Sequence, residues 1–104
     1  MSASSEARQI ADEITERVVI LPKHLHARPA GQVAQAAARH RDTTIELVAG
    51  NRRANARSVL AVMGLGAVTG TDVLVTAAGP DAATVVDDIC EILATPETDG
   101  QTAR

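Results

Sequence analysis

Between Val18 and Leu93 the apolar residues alternate in one stretch and recur every three or four positions in the next. The changeovers fall at or near glycine and proline. Short segments of opposed period must combine sheet with helix. Val18-Val19-Ile20-Leu21 is a β-branched run stopped by Pro22, which predicts a strand. From Pro29 to His40 the chain is alanine-rich, with Val33, Ala36 and Ala37 on one face, and suits a helix with proline in its first turn. Thr43 to Ala49 sets Ile45, Leu47 and Ala49 against Thr44, Glu46 and Val48, the pattern of a strand. Gly50-Asn51 signals a tight turn that returns Arg52 to Asn55 antiparallel. Ser58 to Leu65 predicts a short helix, capped by Ser58 and closed by Gly64 or Gly66. Gly70 leads into a strand from Val73 to Ala77, and Gly79-Pro80-Asp81 into a last helix striped by Val85, Val86, Ile89, Cys90, Ile92 and Leu93.

The expected order is therefore β-α-β-β-α-β-α. Strands of alternating character need cover on one face only. This predicts an α+β fold, an open-faced β-sandwich whose four-stranded, mainly antiparallel sheet carries three helices on one side. The folded unit is expected over residues 16–94. Residues 1–15 are expected to be a flexible extension or a short helix carrying Ile10 and Ile14, and residues 95–104 a disordered tail.

Among 104 residues there is no Phe, Tyr or Trp, so the core must be filled by Val, Ile, Leu, Met and Ala. The same lack removes the stacking platforms on which single-strand and RNA readers depend, and no nucleic-acid partner is expected. No run is long enough to insert in a membrane, and the polar start from Met1 to Arg8 leads into no signal-type segment. One cysteine, Cys90, allows neither an internal disulfide nor a cysteine-based zinc cluster. A cytoplasmic protein without cofactor is expected, and a monomer. The net charge of −3 conceals an asymmetry: residues 23–57 carry an excess of +5 and the remainder −8. A basic middle on an acidic chain points to an anionic ligand or an acidic partner there.

The stretch His24-Leu25-His26-Ala27-Arg28-Pro29-Ala30 concentrates the chemistry. His26 precedes a helix start, where backbone N–H groups lack partners and the macrodipole is positive. Arg28 can bring a guanidinium to the same anion. A nucleophilic imidazole at such a place fits phosphoryl transfer through a phosphohistidine, and equally an anion-binding site with no covalent step.

His26-Ala27-Arg28-Pro29-Ala30 resembles the active-site signature of HPr, the histidine-containing phosphocarrier family of the bacterial phosphoenolpyruvate-dependent sugar phosphotransferase system. At the family's usual distance, Arg57-Ser58-Val59-Leu60-Ala61-Val62-Met63-Gly64-Leu65-Gly66 resembles its serine-site segment, and the likeness runs over about residues 16–93. The resemblance implies a relay in which phosphorylated enzyme I hands a phosphoryl group to Nδ1 of His26, Arg28 neutralises it, and an EIIA domain of a sugar permease receives it. It further implies a docking patch drawn from Val59, Leu60, Met63 and Leu65, and a serine kinase that acts on Ser58 in some lineages. For Ser58 a plain helix cap is the alternative, and the one the residues favour.

The sequence also departs from the family. Most members have glycine where His24 stands, so the loop is expected to be reshaped there. A second imidazole two residues from His26 is expected to make both rings harder to protonate together. His24 and His26 resemble half a metal site, but with only distant His40 as a third ligand no metal is expected. Gln35 and Ala38 replace the lysines common in the family, with Arg39, Arg41, Arg53 and Arg57 expected to compensate. Cys90 is expected to be an inert packing residue. The alternative function is a regulatory HPr-like module, including one in a nitrogen-linked phosphotransferase branch, that acts by docking rather than by carrying phosphate. Retention of the histidine favours the carrier.

Overall fold

A computed structural model describes residues 14–96, so most of the expected extension and tail lies outside the described residues. The elements follow the expected order: β1 (Ile14–Ile20), α1 (Ala27–Ala38), β2 (Thr44–Ala49), β3 (Arg52–Asn55), α2 (Val59–Gly64), β4 (Asp72–Ala78) and α3 (Ala82–Ala94). The strands form one fully antiparallel sheet in the order β1-β4-β2-β3. Register aligns the apolar positions of neighbouring strands: Val19 faces Val73, and Val75 and Ala54 flank Leu47. These side chains, with Ile45 and Ala77, are buried beneath the helices. The opposite face carries Ile14, Glu16, Val18, Val48, Arg53, Leu74 and Thr76, and is open to solvent as the alternation requires.

Helix α3 covers β1 and β4, α1 packs on α3 and α2, and α2 lies against β3. Alanine lets these layers approach closely: Ala30, Ala36, Ala37 and Ala82 are fully or almost fully buried beside Val33, Val85, Val86, Ile89 and Leu93. Full burial of each branched side chain contributes about 1.5–3 kcal/mol relative to exposure. Cys90 is buried, and burial pushes its thiol pKa up, so the neutral packing form is favoured. At Gly79, where φ is +140°, a Cβ would lie 2.9 Å from the Asp42 carbonyl oxygen and the Thr43 Cα. Only glycine lets the β4–α3 turn seat against the α1–β2 loop.

Element boundaries differ from the sequence expectation, most of all at β1 and α1. Strand β1 begins at Ile14 rather than Val18 and ends before Leu21, so Ile14 is paired with Ala78 and is not helical. Polar Glu16 and Arg17 obscured the strand. Arg17 lies on the helix side, where it meets Asp87 of α3 at 2.7 Å, while Glu16 faces solvent. Helix α1 begins at Ala27, which places Pro29 third in the helix, where its missing N–H costs nothing.

Candidate functional site

The segment from Leu21 to His26 is an extended strap. Leu21, Lys23 and Leu25 are buried, while Pro22, His24 and His26 face outward. Backbone hydrogen bonds lash it to the loop before β4. Leu21 N–H donates to the Thr71 carbonyl at 2.9 Å, Gly70 N–H to the Leu21 carbonyl at 2.8 Å, and Leu25 N–H to the Ala67 carbonyl at 3.0 Å. Beneath it, the Lys23 ammonium donates to the Ile92 carbonyl at 2.7 Å. That carbonyl lies in the last turn of α3, and the residue four positions on is Pro96, which has no N–H to offer. Lys23 supplies the missing donor, with its charge at the negative end of the helix.

The strap delivers His26 to the N-cap of α1 in an extended conformation, φ −91° and ψ −162°. Its carbonyl accepts from Ala30 N–H at 3.0 Å, while its imidazole makes no capping hydrogen bond and is exposed. The first turn of α1 contains no acidic residue, and it contributes Arg28, also exposed. Expected site residues His26 and Arg28 thus share one positively polarised helix start. His24 stands on the outer side of the strap with His26, and its Nδ1 accepts from the Thr69 N–H at 3.0 Å, with the Thr69 hydroxyl at 3.3 Å. A backbone amide can only donate, so Nδ1 is the acceptor in this bond.

Ser58 is the N-cap of α2, and its Oγ accepts from Ala61 N–H at 3.1 Å. At the other end, the Arg52 guanidinium donates to the Gly64 carbonyl at 3.1 Å. The short helix holds Val62 in the core and turns Leu60 outward at 80% exposure, flanked by Val59 and Met63. Leu65 requires correction as a docking residue. It is only 6% exposed, because the chain turns inward beyond Gly64 and the core claims the side chain. Val68, which the sequence did not single out, is 48% exposed in the loop lashed to the strap. Its position between Gly66 and Gly70, both at positive φ, was the available signal for a loop tip.

The compensating arginines are also placed elsewhere. Arg57 donates to the His40 and Thr43 carbonyls and so clamps the α1–β2 loop. Arg53 lies on the open sheet face, on a shallow concavity of about 360 Å³ that it lines with Glu16, Glu46 and Leu74. Arg39 caps the C-terminal end of α1, with Arg41 just beyond, at the opposite end of that helix from His26. His40 stands beside Asp81 and Asp88, at 3.8 and 3.7 Å. Among the described residues no group of three potential ligands could hold a metal ion, and no helix is long and apolar enough to cross a membrane.

The chain matches the family model described as the PTS HPr component phosphorylation site over residues 14–95. It is 42% identical over 57 residues to the phosphocarrier protein HPr of Treponema pallidum (strain Nichols), a match spanning 55% of this chain and 64% of that relative. The fold is similar to a phosphocarrier protein HPr from Bacillus anthracis str. Ames, with a TM-score of 0.71 and 26% identity, covering 77% of this chain and 96% of that one. It is also similar to a histidine-containing phosphocarrier protein of Mycoplasma, with a TM-score of 0.70 and 29% identity over 75% of this chain and 90% of the other. An open-faced sheet of the right order, a histidine at the start of its first helix and a match across nearly all described residues place the chain in the HPr family of the phosphotransferase system.

Proposed function

We propose that this protein is a phosphocarrier that takes a phosphoryl group from phosphorylated enzyme I onto His26 and passes it to an EIIA domain. The observation that carries this reading is the exposed His26 imidazole at the N-cap of α1, without a capping bond and with Arg28 in the same first turn. The unprotonated Nδ1 of His26 attacks phosphorus with its lone pair, and the bond from phosphorus to the donor imidazole breaks as the new P–N bond forms. The proton on Nε2 of His26 remains in place. The transferred group's oxygens meet the helix start and the Arg28 guanidinium, which stabilise charge without forming a bond. Transfer to EIIA repeats the displacement with His26 as leaving group.

His24 is the poorer acceptor, since its Nδ1 lone pair already receives the Thr69 amide. Both partners dock on Val59, Leu60 and Met63. The protein is then a substrate of its partners, acting as a cytoplasmic monomer, and catalyses no reaction of its own on a small molecule. Ser58 acts in this reading as the cap of α2, and a serine kinase is not required. The test is incubation with enzyme I and labelled phosphoenolpyruvate. The expected product carries label in an acid-labile, base-stable bond at His26. Absence of label with active enzyme I would leave the regulatory docking module as the better reading.

A further inference from the structure

We propose that His24 is a positioning residue for phosphoryl transfer, which holds the His26 strap in register by accepting the Thr69 amide on Nδ1; this rests on the carrier reading above. The strap and the loop from Gly66 to Thr71 are joined by three backbone hydrogen bonds, two at Leu21 and one at Leu25. Between them Lys23 is buried, with its ammonium on the Ile92 carbonyl. The side chain of His24 supplies a fourth link across that interval, with Thr69 N–H at 3.0 Å from Nδ1. The Val68 N–H is taken by the Thr69 loop's own Thr71 hydroxyl at 3.1 Å, so the loop is ordered on both sides of the tie.

A glycine here offers the backbone freedom but no acceptor, and the Thr69 amide would turn to water. The histidine therefore replaces conformational permission with a fixed link two residues before the reacting ring. Transfer in line between two imidazoles is sensitive to the placement of the acceptor, because misplacement by about 1 Å can cost a factor of about a hundred in rate. A link that removes motion along the strap acts on the maximal transfer rate and leaves the docking surface on α2 untouched.

The experiment compares the parent with His24→Ala and His24→Asn. Asparagine carries its Oδ1 acceptor at the position of the histidine Nδ1, whereas alanine has none. Two readouts are taken: hydrogen exchange of the Thr69 amide by NMR, and the rate of phosphoryl acceptance against enzyme I concentration. With His24→Ala the Thr69 amide should exchange faster and the maximal rate should fall by about tenfold, with the half-saturating concentration of enzyme I unchanged. With His24→Asn both should return toward the parent. Equal maximal rates in parent and His24→Ala would overturn the positioning role, as would restored Thr69 protection in His24→Asn without restored transfer. A fall expressed only in the half-saturating concentration would overturn it too, by assigning His24 to docking. A parent that accepts no phosphoryl group defeats the carrier reading itself, and is distinguished from these outcomes because the parent is measured first.

Discussion

The two helix starts on the functional face, those of α1 and α2, solve the same problem in opposite ways. Each begins with backbone donors that no earlier turn can satisfy. At α2 the chain closes the end itself, since Ser58 Oγ accepts Ala61 N–H and Ser58 N–H donates to the Asn55 carbonyl. At α1 the N-cap is His26, whose side chain caps nothing, and no acidic residue follows in the first turn. The third helix shows that an open end alone is insufficient. Asp81 at the start of α3 also makes no capping bond, but its carboxylate lies 3.8 Å from His40 and already supplies an anion there. An anion from outside is best received at α1, where positive polarity, Arg28 and a nucleophilic ring coincide.

The largest expected effect comes from removing the ring. His26→Ala should lose phosphoryl acceptance altogether while its denaturation midpoint moves little, because an exposed residue without a capping bond contributes well under ~1 kcal/mol. Acid-labile label retained by this variant would show that the open helix start is not the acceptor site. Arg28→Ala is expected to slow acceptance by about tenfold to a hundredfold, which corresponds to the roughly 1.5–3 kcal/mol of a charged hydrogen bond. Stopped-flow transfer from phosphorylated enzyme I measures it, and an unchanged rate would leave the helix start alone to hold the phosphoryl group.

The closed end should answer in the other currency. Ser58→Ala is expected to cost about 1 kcal/mol of stability with acceptance at His26 unchanged. Chemical denaturation and labelling on the same preparation would check both halves. If this variant lost transfer without losing stability, the contrast between the two helix starts would collapse. The smallest effect belongs to Ser58→Asp, in which the carboxylate can still cap α2. Stability should shift by less than ~1 kcal/mol, while the new charge beside Val59 and Leu60 raises the half-saturating enzyme I concentration by about threefold. An unaltered concentration dependence would confine Ser58 to capping.

Much of this arrangement was legible because it is local. Gly50-Asn51 announced the β2–β3 turn, where Gly50 takes φ of +63°, and its antiparallel return placed β3 at Arg52–Asn55 as observed. Ser58 announced its own helix three residues before the amide it binds. His26, Arg28 and Pro29 are neighbours in the chain, so their meeting at one helix start needed only the helix itself. Periods of two and of 3.6, turns and caps all arise from contacts a few residues apart, and the chain's order of residues determines them.

What only the tertiary structure decided involves partners far along the chain. Met63 and Leu65 read alike as apolar residues at a helix end, yet the first is part-exposed and the second is buried by what packs against it. Lys23 counted as one more charge of a basic middle until α3, 69 residues away, presented a carbonyl that Pro96 could not serve. The strand character of Ile14 to Arg17 depended on the ladder offered by β4 and on Asp87. His24 became a link rather than a stray imidazole through an amide 45 residues on. A side chain's own chemistry states which bonds it can make, but only packing brings the distant orphaned donor or acceptor within 3 Å and excludes the water that would otherwise serve it.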